Sequence, residues 1–226
     1  DRADHGVSRK DISPNALRVL YKLRDAGFEA YIVGGAVRDL LIGGHPKDFD
    51  VATNATPEQV RAQFRNCRLI GRRFRLAHIM FGQEIIEVAT FRASGDDDTA
   101  VGDRQVHEEG HLIRDNVYGT LEEDAERRDF TVNALALPVS GDGGVIDRHD
   151  GLRDLERRRM ALVSPTALAD DPVRVLRLAR IADQLGFAVD PAAASAARAA
   201  AARIADAPGE RVMEEFARIV TAPDPG

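Results

Sequence analysis

Cysteine is almost missing from this sequence. Cys67 is the only one in 226 residues, so no internal disulfide can form and no thiolate cluster can hold a metal. That usage fits a reducing cytosol. Long hydrophobic runs are missing too. No apolar stretch approaches the roughly 20 residues that a bilayer-spanning helix needs, and Asp1 to Lys10 is polar, without the apolar core of a signal peptide. The expectation is a cytoplasmic protein with no membrane segment. An excess of positive charge is also lacking. The formal net charge is −6, which argues against this stretch alone gripping a long nucleic acid, because phosphate contacts need clustered Lys and Arg. Local basic clusters do occur, at Arg72-Arg73-Phe74-Arg75 and at Arg157-Arg158-Arg159. No internal repeat is found. What is present is ordinary for a globular chain: 44% hydrophobic and 30% charged residues, with length for one large domain or two small ones.

One stretch organises the rest. Tyr31, Ile32 and Val33 run apolar into Gly34-Gly35, then Ala36-Val37-Arg38-Asp39, and Lys47-Asp48-Phe49-Asp50-Val51 follows. This reads as a strand, a glycine turn, a short helix and a second strand. Glycines let the backbone turn sharply and approach a ligand, and the free N–H groups at a helix start suit a phosphate. Asp48 and Asp50 sit two apart in a strand, so both point to the same face. Carboxylates that close repel one another unless a cation lies between them. Two carboxylates with substrate phosphates are a usual way to hold Mg²⁺. A phosphate cradle beside Asp-x-Asp points to nucleotidyl transfer.

Around that stretch the periodicity gives the following order. Ser13-Pro14 opens a helix with Leu17, Leu20 and Tyr21 as its apolar stripe, and Gly27 stops it. Thr56-Pro57-Glu58 starts another, ending near Phe64. Cys67 to Ile70, Arg75 to Phe81 and Glu84 to Thr90 read as strands, the last two joined by a tight Gly82-Gln83 turn. Glu87 is a charge in an apolar strand. It reads either as a solvent-facing residue or as a third carboxylate facing Asp48 and Asp50. Ala93 to Gly119 is charged and glycine-bearing and reads as a long loop. Asp96-Asp97-Asp98, and His107 with His111, lie within it as solvated positions rather than metal ligands.

Thr120-Leu121-Glu122-Glu123 fits a capping box. The helix it opens is expected to run to about Leu137, burying Phe130, Ala134 and Leu137 and placing Asp129 and Asn133 on another face. Taken alone, Arg127-Arg128-Asp129 with Asn133 reads as a solvated helix face with ion pairs. Ser140 to Gly144 is a turn and Val145-Ile146-Asp147 a strand. Beyond Gly151 the pattern is helical. Asp171 caps a helix that begins at Pro172 and ends at Gly186, with Arg174 and Arg177 on its polar side. An alanine-rich helix covers Pro191 to Ile204, and a last one runs from about Gly209 to Val220. The composition shift near residue 150 is the best domain boundary.

These blocks, in this order, resemble the bacterial poly(A) polymerase family, in the nucleotidyltransferase superfamily that also contains the class II CCA-adding enzymes. Gly34 to Asp39, Asp48-Phe49-Asp50, Arg127 to Ala134, Asp171-Pro172-Val173-Arg174 and Glu210-Arg211 are similar to both branches. Lys47 to Asp50 with Thr53 to Glu58, Gly71 to His78, Glu84 to Arg92 and Leu112 to Asn116 are similar to the poly(A) polymerase branch. The resemblance implies an α+β fold: a nucleotidyltransferase head (1–150) with a small mixed β-sheet flanked by helices, then an all-α neck (151–226) for base recognition.

It also implies roles. Asp48 and Asp50 would hold two Mg²⁺ ions, and Glu87 would be the third catalytic carboxylate. Gly34, Gly35 and Arg38 would hold the ATP triphosphate, and Arg128, Asp129 and Asn133 the ribose and phosphates. Asp171 and Arg174 would read the base edge, with Arg177 counted among the same ATP-binding residues. The reaction implied is template-independent transfer of AMP from ATP to an RNA 3′ end, releasing pyrophosphate, as in RNA polyadenylation during mRNA processing. Asp171 accepts and Arg174 donates, which suits adenine and equally cytosine, but not guanine or uracil. The pair therefore leaves tRNA CCA addition (or A addition) open as the alternative. A binding module without turnover is disfavoured by the intact Asp48, Asp50 and Glu87.

Two departures from the family pattern stand out. The run 165–170 before Asp171 is shorter and less basic than the family's, and lacks its usual Glu. The sequence also ends at Gly226, where the family continues into a helical body and a basic tail. The chain is accordingly read as a catalytic core that binds ATP–Mg²⁺ but holds RNA weakly.

Overall fold

The computed structural model describes residues 7–71, 75–93, 118–139 and 144–221. After a short 3₁₀ turn (Arg9–Asp11), α1 (Pro14–Asp25) begins where the Ser13 hydroxyl accepts the N–H groups of Asn15 and Ala16. Then come β1 (Ala30–Val33), α2 (Gly35–Leu41), β2 (Asp50–Thr53) and α3 (Pro57–Gln63). A capping box between Thr56 and Gln59 opens α3. The strands β3 (Cys67–Ile70), β4 (Leu76–Phe81) and β5 (Glu84–Thr90) lie where the alternation places them, with Gly82-Gln83 as the turn between the last two. Next are α4 (Leu121–Glu126), a 3₁₀ turn (Thr131–Asn133) and β6 (Ala136–Pro138). The helical part holds α5 (Gly151–Glu156), β7 (Arg159–Met160), α6 (Ala167–Asp170), α7 (Val173–Leu185), β8 (Ala188–Val189), α8 (Pro191–Ala200), a 3₁₀ segment (Ala201–Asp206) and α9 (Gly209–Val220).

The architecture is α+β, as the sequence implies. Six strands form one mixed sheet in the order β3-β4-β5-β2-β1-β6. Among the described residues of this sheet, only β2 and β5 pair in parallel; the other neighbours are antiparallel. A single transverse row crosses all six strands: Arg68 opposite His78, His78 opposite Glu87, Glu87 opposite Asp50, Asp50 opposite Val33, and Val33 opposite Ala136. In β5 the buried Ile86 and Val88 join a core with Leu20, Leu23, Val60 and Phe64 of α1 and α3 and its flank, while the half-exposed Glu87 alternates with them. The same core continues through Phe130, Leu135 and Met160 to Leu178, Ile181 and Phe187 of the helical part.

Several local expectations are corrected. The helix opened by Thr120 ends at Glu126 and does not reach Leu137. Residues 129–131 are drawn instead to the segment 161–163: Phe130 bridges Leu162, Thr131 N–H donates to the Ala161 carbonyl at 3.1 Å, and Val163 N–H donates to that of Asp129 at 3.2 Å. Gly151 lets the start of α5 close on the same turn, since a Cβ there would meet the Thr131 carbonyl oxygen at 2.3 Å. Asp48 lies just ahead of β2 rather than inside it. Val145 to Asp147 contributes one bridge, Ile146 to Ala136, not a strand. The alanine-rich helix gives way to 3₁₀ geometry after Ala200. Arg72 to Phe74, the loop positions Asp96-Asp97-Asp98, His107, His111 and Leu112 to Asn116, and Ser140 to Gly143 lie outside the described residues.

Candidate active site

Asp50 stands at the start of β2, beside the turn that leaves β1. Asp48 and Asp50 are exposed and Phe49 between them is buried, so both carboxylates lie on the open side. Glu87 is the register partner of Asp50 across the parallel pair, on that same side. Glu87 thus has features of both readings: its side chain is part-exposed, and it faces Asp50 from the neighbouring strand. The consequence is electrostatic. Asp50 is exposed as a residue, yet desolvation of its carboxyl comes first, and then the charges of Glu87 and Asp48, in pushing it up to about 6 against the opposing pull of Arg128.

Gly34 closes the other side of this spot. Its φ of +72° with ψ of −145° is a conformation open essentially to glycine alone. A Cβ there would stand 3.5 Å from Arg128 Nη1 and 3.9 Å from Asp50 Oδ2. The missing side chain thus leaves free the space between a guanidinium and a carboxylate. Arg38, on α2, folds back so that its Nη2 would be 3.3 Å from a Cβ on Gly35. It donates from Nη1 to Asn133 Oδ1 at 2.8 Å and from Nε to Asp39 Oδ1 at 2.8 Å.

The residues 124–133 supply the opposite wall. Arg128 Nη2 donates to Asp124 Oδ2 at 2.8 Å, and the nearly buried Asp124 also accepts from Arg127 Nε at 3.2 Å. Burial opposes ionisation of Asp124, but the two arginines outweigh it and its carboxyl sits below the usual range. Asp129 and Asn133 are buried, not presented on a solvated face. Asp129 Oδ1 accepts from Phe130 N–H and from Asn133 Nδ2, and Oδ2 from Arg177 Nε at 2.9 Å. Here too burial raises and Arg177 lowers, and the net direction is down. Arg177 continues to Glu215 at 3.2 Å, and Arg180 holds the other oxygen of Glu215 at 2.7 Å. The candidate nucleotide wall is therefore tied to α7 and α9.

Asp171 and Arg174 lie at the entry of α7, with Arg174 Nε 3.7 Å from Asp171 Oδ2. Arg211 of α9 donates to both Asp171 oxygens. Arg174 meanwhile donates to the carbonyls of Ala167 and Arg127, at 3.2 and 2.9 Å. Asp124, Glu215, Arg211 as a partner of Asp171, and His78 as a partner of Glu87 were not foreseen as parts of the site. Glu215 and Arg211 have partners set by tertiary packing, whereas Asp124 pairs with Arg127 and Arg128 at the local i+3 and i+4 spacing. His78 was within reach: a two-residue turn at Gly82-Gln83 pairs Phe81 with Glu84, and counting outward pairs His78 with Glu87.

Among the described residues, no three His, Cys, Asp or Glu side chains converge closely enough to hold a metal ion by themselves. The donor set nevertheless suits Mg²⁺, which takes one or two carboxylates and completes its shell with substrate phosphates and water. The like charges around Asp50 and the space left by Gly34 fit such a cation. No helix among the described residues is long and apolar enough to cross a membrane.

A family model described as the poly A polymerase head domain matches residues 30–161. A second, described as the probable RNA and SrmB-binding site of polymerase A, matches 186–226. A protein named poly(A) polymerase I from Escherichia coli O6:H1 is 52% identical over 226 residues, covering 98% of this chain and 48% of that protein. A CC-adding tRNA nucleotidyltransferase from Halalkalibacterium halodurans is 37% identical over 211 residues, 93% of this chain and 49% of that one. Among solved structures, the Bacillus stearothermophilus CCA-adding enzyme in complex with CTP superposes with a TM-score of 0.77 at 32% identity, covering 94% of this chain and 50% of that chain. The chain spans about half the length of the curated relatives it matches.

Proposed function

The chain belongs to the family of the poly A polymerase head domain, and on that footing we propose that it carries the chemistry of a template-independent polynucleotide adenylyltransferase, adding AMP from ATP to RNA 3′ ends. The observation that supports this most is the placement of Glu87 directly across from Asp50 on the neighbouring strand; desolvation first, and then the charges of Glu87 and Asp48, raise the Asp50 carboxyl to about 6, a site that a cation would relieve. Residues 1–150 act as the head and 151–226 as the neck.

In this reading Asp48 and Asp50 hold two Mg²⁺ ions, which supply Lewis-acid activation of the RNA 3′-hydroxyl and charge neutralisation at the triphosphate. Glu87 adds its charge beside Asp50. Gly34 and Gly35 keep the space above the carboxylates clear, and Arg38 and Arg128 bind the triphosphate. Asn133 fixes Arg38 through its 2.8 Å hydrogen bond. Asp129 fixes Arg177, and Asp129 and Asn133, with Arg128, line the ribose side. The 3′-oxygen gives its proton to solvent water as it bonds to the α-phosphorus, and the bond from that phosphorus to the β-phosphate oxygen breaks, releasing pyrophosphate. At the base, Asp171 accepts from an exocyclic amino group and Arg174 donates to the adjacent ring nitrogen, which disfavours guanine and uracil.

The same Asp171–Arg174 chemistry suits cytosine, and a CC-adding relative is 37% identical, so tRNA end repair is the second reading. Extension of labelled oligo(A) and of a tRNA lacking its CCA end, with each nucleoside triphosphate singly and Mg²⁺, separates the two. Long tails on oligo(A) with ATP alone are expected. Addition of C's and A to the tRNA only would overturn the first reading in favour of the second. ATP binding without extension of either would leave a binding module.

A further inference from the structure

Glu87 has a partner that the reaction as written does not use. His78 Nε2 lies 3.2 Å from Glu87 Oε2, across the antiparallel β4–β5 pair. Both side chains are part-exposed, at 27% and 40%. Glu87 occupies a position where its conformation is not fixed by packing alone. Ile86 and Val88 on either side are buried on the other face of the sheet. A glutamate side chain has several rotatable bonds and loses substantial freedom when held. It is also repelled by Asp50, its neighbour in the row. Left to itself its carboxylate would sample several orientations.

His78 stands in the same transverse row, on the side of Glu87 away from Asp50. Ala77 and Ile79, which flank it in β4, are buried, so the strand beneath it is anchored. We propose that His78 is a positioning residue: its ring N–H holds one oxygen of Glu87 and so keeps the carboxylate in line with Asp50. The inference rests on the reading of Glu87 as part of the reaction centre.

The test compares His78→Ala, His78→Gln, Glu87→Ala and the His78→Ala/Glu87→Ala pair in the full chain, by ATP-dependent extension of oligo(A) and by thermal melting. Loss of a residue that orients a metal-site carboxylate typically costs about 10–100-fold. His78→Ala is expected to lower kcat by about that factor, with KM for ATP and Tm close to those of the parent. His78→Gln, whose amide can donate to the same oxygen, is expected to recover most of the loss. In the Glu87→Ala background, His78→Ala is expected to add nothing further. Unchanged kcat in His78→Ala would overturn the proposal. So would a rise in KM that matches the fall in kcat, a failure of Gln to rescue, or the same loss in the absence of Glu87. Full activity in Glu87→Ala would instead remove the reading of Glu87 on which the proposal stands.

Discussion

Arg211 holds both carboxylate oxygens of Asp171, at 3.2 and 2.5 Å, from a helix 40 residues further along the chain. Paired donors of this kind fix orientation as well as charge. If Asp171 reads a base edge, Arg211 sets the plane from which it reads.

Arg211→Met is therefore expected to loosen base choice. Asp171 would be left to Arg174, 3.7 Å away, and Arg174 would be pulled from the backbone carbonyls it now binds. The expected outcome is about a 10-fold rise in KM for ATP, in keeping with the loss of a charged hydrogen bond, and measurable incorporation of GMP or UMP. Single-nucleotide extension assays read both. Unchanged selectivity would place base reading elsewhere.

Asp50→Asn should separate stability from function. The folded state raises this carboxyl to about 6, so folding favours its protonated form. The sign follows: the benefit of the protonated group is complete below the unfolded value of about 4, and it is lost as pH rises through the folded value. Above that, the ionised Asp50 burdens the fold. Without Mg²⁺ at pH 7.5, the Asn variant is expected to melt about 2–4 °C higher than the parent, with the gap closing toward pH 4. Extension activity is expected to vanish. Added Mg²⁺ should raise the parent's Tm more than the variant's, because only the parent keeps the charge.

Arg177→Met tests the link between the nucleotide wall and the helices behind it. Asp129 and Glu215, both buried, would lose a shared counter-charge. Removing one partner of a buried ion pair costs about 3–5 kcal/mol, and a loss near the lower end is expected because Arg177 is partly exposed. In the parent, the depressed carboxyl of Asp129 contributes stability that is present above its unfolded value and is lost as pH falls through the folded one. In the variant, burial alone acts on Asp129 and favours its protonated form. The deficit should accordingly be largest at neutral pH and shrink on mild acidification, as read by urea unfolding.

Gly34→Ala probes the turn itself. The Cβ would find ordinary van der Waals room beside Arg128 and Asp50, so crowding is not the cost. The backbone is: φ of +72° with ψ of −145° disfavours any side chain by about 1–3 kcal/mol. A lower Tm is expected, together with weaker ATP binding by calorimetry as the methyl group takes up the space above Asp50.

Much of the fold could be read from local pattern. Ser13-Pro14, Thr56-Pro57 and Gly186 mark helix ends by their own chemistry, and β3 to β5 follow from alternation. The misjudged segment shows where that stops. Phe130, Ala134 and Leu137 repeat at helical spacing, yet each is buried for a different reason, in a bridge, a 3₁₀ turn and an edge strand. Pairing with residues 161–163 overrode the local preference, and nothing near residue 130 announces it. The site divides in the same way. Asp48, Asp50 and the Gly34 turn are contiguous and visible. The partners of Asp129 and Asp171 come from 48 and 40 residues away, and only packing delivers them. His78 falls between the two, since one hairpin count is enough to find it.

The parallel pairing of β2 with β5 also fixes when the candidate site can exist. A hairpin such as β4–β5 closes locally, in microseconds, and can bring His78 to Glu87 early. Asp50 meets Glu87 only when β2 has been joined from a distance, after α3, β3 and β4 have been laid between them. Such long-range closure is intrinsically slow. A chain emerging from synthesis would carry all three carboxylates well before it could set Glu87 beside Asp50. Onset of Mg²⁺ affinity during refolding would thus time the docking of β2 onto β5, and an unfinished molecule would stay chemically silent.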